Sequence, residues 1–182
     1  MSEITQSGEN GQKSHGAPAP SSCFAPLARG DARVLILGSL PGQRSLREHE
    51  YYAHPQNAFW SIMRDLLAAE GSYEQRCDAL LANGIALWDV LAESVRPGSM
   101  DSDIDMDTAR PNDFDSLLRK CPRIERVCFN GQKAAQMFAK FVGPQSLADA
   151  IALLTLPSTS PAYAAMPYEE KLVHWRVALD VI

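Results

Sequence analysis

The sequence predicts an α/β fold, a three-layer α/β/α arrangement in which helices cover both faces of a central four-stranded parallel sheet. Two observations predict it. Four short apolar runs each end in a Gly, Asp, Asn or Pro loop, and segments of helical periodicity separate them. The chain has 182 residues, 46% of them hydrophobic, which suits one domain with a buried core.

Residues 1–22, MSEITQSGENGQKSHGAPAPSS, are Ser-, Gly- and Pro-rich with almost nothing apolar, so a disordered tail is expected there, followed by a single domain over 23–182. "ARVLILGSLPG" then reads as a fully buried parallel strand ending near Gly38. From Ala58 the positions Phe59, Ile62, Met63, Leu66 and Leu67 repeat at helical spacing, with Asn57 placed as an N-cap. "CDALLANGIALWDVL" is a helix stopped by Asn83-Gly84 and a strand from Ile85 to Val90. "FDSLLRKCPRIERVCFNGQKAAQMFAKFV" gives a helix, a strand over Arg126 to Phe129, a Gly turn and another helix. "IALLTLPSTSPAYA" is a strand running into a Ser/Thr/Pro loop, and a closing helix spans Glu169 to Val181. In such a sheet a ligand site belongs in the loops at the carboxyl ends of the strands.

Composition narrows the function. No run of about 18 apolar residues and no signal-peptide order is present, so a soluble cytoplasmic protein is expected. Cys23, Cys77, Cys121 and Cys128 form no C-x-x-C pair, and His15, His49, His54 and His174 show no ligand spacing; no metal or other cofactor is expected. A net charge of −5 weighs against tight nonspecific DNA binding but leaves room for a basic face near Arg29, Arg33, Arg44 and Arg47, or near Arg119, Lys120, Arg123 and Arg126. A solvated mixed surface explains either group equally well.

The uncommon residues collect in four loops: GSLPG, WDV with RPGSMDSD, FNGQ and LPSTSPAY. Each has a bland explanation as a turn, and GSLPG matches neither a P-loop nor G-x-G-x-x-G. Taken together, "GSLPG" with "YYAHPQNAFW", "GIALWDVLAESVRPGSMDSDI", "FNGQKA" and "LPSTSPAYA" resemble the hypoxanthine-DNA glycosylase (DNA-deoxyinosine glycosylase) branch of the uracil-DNA glycosylase superfamily, from about Arg33 to the end.

That resemblance implies a monofunctional, monomeric enzyme that extrudes a deaminated base from double-stranded DNA and hydrolyses its N-glycosidic bond, leaving an abasic site. Hypoxanthine is the base it implies first, with uracil and xanthine behind. Tyr52 matches the aromatic that stacks on the flipped base, backbone groups of Gly38, Ser39 and Leu40 line its edge, and His54 and Asn130 stand nearby; Tyr51 is read as packing. Ser45, Ser158, Thr159, Ser160 and Tyr163 are candidate DNA contacts. One departure stands out. Leu40 occupies the position where much of the superfamily carries a water-positioning Asp or Asn; the resemblance to the hypoxanthine branch gives weight instead to the Asn of "HPQN", which is Asn57, and implies that its amide carbonyl orients the attacking water. Asp89 ranks second, as a buried carboxylate with a raised pKa serving as general base. Lys133 has nothing beside it that marks an activated nucleophile. The alternatives are a uracil/thymine mismatch-specific enzyme of the same fold and a catalytically silent lesion-DNA-binding module.

Overall fold

The computed structural model describes residues 20–179 except 99, 144–146, 148 and 149. In chain order the strands are β1 (Pro20–Ser22), β2 (Val34–Gly38), β3 (Ile85–Asp89), β4 (Leu91–Val95), β5 (Arg110–Pro111), β6 (Arg126–Asn130) and β7 (Ala152–Leu156). The helices are α1 (Gln43–Glu48), α2 (Phe59–Leu67), α3 (Tyr73–Ala82), α4 (Phe114–Lys120), α5 (Gln132–Phe141) and α6 (Tyr168–Leu179).

The main sheet runs β3-β2-β6-β7 with every pair parallel. All residues of β2 and β3 are buried, as an apolar run in a two-sided parallel sheet requires. Alternation assigns the faces. Leu35 and Leu37 join one core layer with Trp88, Phe114 and Phe138, while Val34 and Ile36 join the other with Phe59, Ile62, Leu80 and Trp175. Burying each of these side chains is worth about 1.5–3 kcal/mol, so both layers contribute to holding the sheet.

Topology places the crevice. The chain leaves β2 for β3 on one side, then crosses back to β6 on the other, so the loops after β2 and β6 diverge. Register sets Gly38 beside Asp89 and Asn130 beside Leu156, which brings four strand ends level at one edge.

Three expectations are corrected. Pro20–Ser22, assigned to the tail, pairs antiparallel with β4; residues 1–19 of that tail lie outside the described residues. β1, β4 and β5 make a small second sheet, held by backbone bonds such as Cys23 N–H to Ala92 O at 2.8 Å. Strands of two and three residues carry no readable periodicity, which is why this sheet was invisible in the sequence. The helix expected from Ala58 begins at Phe59, with Ala58 as its cap. The closing helix begins at Tyr168, one residue before the expected start, and positions 180 and 181 of its expected span lie outside the described residues.

Candidate active site

A cavity of about 750 Å³ opens at the carboxyl edge of the main sheet. The loop after β2 lines it with Gly38, Ser39, Leu40 and Ser45, and the segment before α2 adds Tyr52, His54 and Asn57. Asp89 comes from the end of β3, Asn130 from the end of β6, and Ser158, Thr159, Ser160 and Tyr163 from the loop after β7. Every site residue expected from the sequence therefore borders one space.

A buried arginine shapes the first loop. Arg96, 4% exposed, donates from Nη1 to the carbonyls of Leu40 at 2.7 Å and Pro41 at 3.3 Å, and its Nη2 lies 3.4 Å from Asp101 Oδ1. Asp101 also accepts the Ser39 hydroxyl at 2.6 Å, and Gln43 Nε2 donates to the Arg96 carbonyl at 3.1 Å. Arg96, Asp101 and Gln43 were missed in the sequence. Their partners are largely backbone carbonyls and residues about 50–60 positions away, and only the adjacency of RPG to an acidic run hinted at them. Leu40 is buried in the hydrophobic core, which gives the departure at this position a structural role in packing.

The opposite rim is locked in the same manner. Asn130 Nδ2 donates to Thr159 Oγ1 at 2.8 Å while Thr159 N–H donates to Asn130 Oδ1 at 2.9 Å, and Thr159 O accepts Ala58 N–H at 2.9 Å. Gly131 has φ +98°, and a Cβ there would meet Ser158 Cβ at 2.9 Å, so glycine is required twice over.

Comparison with known proteins adds to this geometry. The family model described as the uracil DNA glycosylase superfamily matches residues 26–180. The chain belongs to the uracil DNA glycosylase superfamily. Two relatives named hypoxanthine DNA glycosylase are similar to it over 116 residues, 62% of this chain and 72% of each relative: one from Methanosarcina barkeri at 37% identity and one from Methanosarcina acetivorans at 38%. A solution NMR structure of a uracil DNA glycosylase candidate from Methanosarcina acetivorans superposes with a TM-score of 0.71 at 30% identity, covering 89% of this chain and 99% of that one. DNA is the partner of this superfamily member.

Within that glycosylase frame, two expected DNA contacts need correction. Thr159 is 1% exposed and tied to Asn130, and the buried Ser45 accepts Ala53 N–H at 3.2 Å; neither hydroxyl is presented outward. Ser158 and Ser160 accept Ser160 N–H at 3.2 Å and Ala162 N–H at 3.3 Å, shaping their own loop. Tyr163 is exposed on the rim, as is Met100. His54 is exposed, and its Nδ1 accepts Gln56 N–H at 3.2 Å.

Asn57 Oδ1 accepts Phe59 N–H at 3.0 Å, so the carbonyl expected to hold water already serves the start of α2; its Nδ2 has no hydrogen-bond partner among the described residues. Tyr51 is buried packing, its hydroxyl donating to Ala25 O at 3.3 Å. Tyr52 adopts φ +54°, strained for a non-glycine residue, and its ring stacks on Phe59 with centroids 4.1 Å apart. Its hydroxyl is buried without a hydrogen-bond partner among the described residues, as is Asp89 Oδ2. Burial first, then the neighbouring Asp101, pushes the Asp89 carboxyl up to about 7, against the pull of Arg96. Among the described residues no cluster of His, Cys, Asp and Glu is able to hold a metal ion.

Proposed function

We propose that this chain hydrolyses the N-glycosidic bond of deaminated bases in double-stranded DNA, hypoxanthine first, working as a cytoplasmic monomer and leaving an abasic site. The observation that carries the reading is the cavity at the switch point of the sheet, built from the five resembling motifs in a chain similar to two proteins named hypoxanthine DNA glycosylase. Its volume leaves ample room for an extruded base, and its rims are fixed by hydrogen bonds that keep the receiving loops in place before DNA arrives. Tyr52 and the Gly38–Leu40 backbone receive the base, Asn57 orients the attacking water, and the exposed Tyr163 with the half-buried Ser158 and Ser160 meets the duplex.

The test is single-turnover base release from duplexes carrying inosine, uracil, xanthine or ethenoadenine at one position. Fastest release from inosine is expected. Faster release from uracil assigns the chain to the mismatch-specific alternative, and tight binding of lesion DNA without alkali-labile sites assigns it to a silent binding module.

A further inference from the structure

We propose that Asp89 acts as a carboxylic acid, not as the base its sequence position suggests, and protonates the departing purine while the Tyr52 hydroxyl holds the adjoining atom of the same edge. This rests on the reading of the chain as a hypoxanthine glycosylase.

Geometry carries it. Gly38 and Asp89 are register partners at the ends of β2 and β3. A Cβ on Gly38 would collide with Asp89 Oδ1 and stand 3.0 Å from the Tyr52 hydroxyl, so the two side chains converge over one bare Cα on the cavity wall. Asp89 is 97% buried by its 3% exposure, and both Asp89 Oδ2 and the Tyr52 hydroxyl lack a hydrogen-bond partner among the described residues. Buried polar groups are almost always satisfied, so an unsatisfied carboxyl oxygen and an unsatisfied hydroxyl on two residues that line one ligand-sized cavity point to a ligand that satisfies them.

The charges around Asp89 favour its neutral form. Asp101 opposes ionisation, and Tyr51, Tyr52 and Cys23 face the same carboxyl as neutral groups whose own ionisation burial suppresses. Arg96 favours the carboxylate, but its guanidinium is directed to the Leu40 and Pro41 carbonyls and to Asp101. The acid therefore keeps its proton to near neutrality.

Hypoxanthine offers two acceptors on one edge, N7 and O6, and two adjacent O–H donors match them. The Asp89 proton moves to N7 as the C1′–N9 bond breaks. The bonding pair goes into the purine, which leaves as its neutral N7–H tautomer, and the sugar is left as an oxocarbenium ion. Water then bonds to C1′, and its surplus proton restores Asp89 through solvent. Uracil has no such nitrogen, so preference for a purine follows from the same pair.

The test measures single-turnover release from inosine and 7-deazainosine duplexes between pH 5 and 9, with wild type and Asp89→Asn. Wild-type release of hypoxanthine should hold level at low pH and fall about tenfold per unit above about 7. Asp89→Asn should lower it by roughly 10²-fold or more and remove that pH limb, and wild type should release 7-deazahypoxanthine at least about 10²-fold more slowly than hypoxanthine. A rate that rises with pH through 7, an unimpaired Asp89→Asn, or equal release of the two bases overturns the proposal. Should Asp89→Asn fail to fold, the wild-type pH limb and the 7-deaza comparison decide alone. Absence of hypoxanthine release by wild type while uracil is released defeats the functional reading and this proposal with it; release of hypoxanthine with the opposite pH limb defeats only the proposal.

Discussion

The rims of the cavity and the part of its wall around Gly38 are built from equally polar residues that are treated in opposite ways. On the rims, Arg96, Asp101, Ser39, Asn130 and Thr159 hydrogen-bond one another or loop carbonyls at 2.6–3.4 Å. Beside Gly38, the Tyr52 hydroxyl and Asp89 Oδ2 are buried with no hydrogen-bond partner among the described residues. A satisfied buried network rigidifies and an unsatisfied group costs stability, so the rims read as scaffold and the Gly38 wall as the part reserved for substrate. That contrast separates residues a sequence motif cannot separate, since Thr159 and Ser160 are neighbours in one loop yet only Thr159 is locked into the protein.

Breaking the rim gives the largest effect. Arg96→Ala leaves two carbonyls and Asp101 without their buried cation and should cost about 3–5 kcal/mol in urea unfolding. A loss below 1 kcal/mol would show that the loop does not depend on Arg96 for its shape.

Next comes Asp89, with the opposite sign. Its folded pKa of about 7 lies above the ordinary carboxylate value of about 3.9, so the folded state binds the extra proton and stability falls as pH rises between those values. The full penalty, at most about 4 kcal/mol at 1.36 kcal/mol per unit, is present above pH 7 and absent below pH 4. Asp89→Asn should therefore stabilise the protein at pH 8 and leave it unchanged at pH 4, as urea midpoints at the two pH values would report. A variant less stable than wild type at pH 8 would mean that Arg96 holds the ionised carboxylate, and the Gly38 wall would then be scaffold too.

Thr159→Val is smaller. The shape is kept while Asn130 Nδ2 loses its acceptor, so a cost of about 1–3 kcal/mol is expected. Base release should fall only as far as the loop loosens. A stability unchanged within 0.5 kcal/mol, on the order of an ordinary surface substitution, would remove Asn130 and Thr159 from the scaffold.

Much of this was legible. Buried parallel strands write themselves as continuous apolar runs, so the strands of the main sheet were placed to within about two residues, and their order put the loops on one edge. The second sheet was not legible, because β1 and β5 are three and two residues long, too short to carry a period. Within the site, Asp89 was found for its chemistry. Arg96 was overlooked because an arginine in a mixed-charge loop is ordinarily solvated, and only the folded chain shows it buried beneath GSLPG. At Leu40 the resemblance points to a missing catalyst, whereas the fold accounts for it as a core side chain.

The smallest stability effect belongs to Asn57, where a hydrogen bond to the start of α2 and the chemistry share one amide. The sequence suggested that its carbonyl oxygen orients water, yet Oδ1 accepts Phe59 N–H and Nδ2 is the end with no hydrogen-bond partner among the described residues. Asn57→Asp keeps an oxygen for Phe59 N–H and places a negative charge near the start of α2, so stability should change by only a few tenths of a kcal/mol, in the favourable direction. It removes the only N–H donor of that side chain. A water held by Nδ2 through one of its lone pairs loses that contact when the N–H donor is removed, and with it its position against C1′. Single-turnover release from inosine DNA should then fall roughly 10²-fold with folding intact, the usual loss for one positioned polar group. Near-normal release by Asn57→Asp would return the water to an oxygen acceptor, and the free amide of Asn57 would rank with the scaffold of the rim.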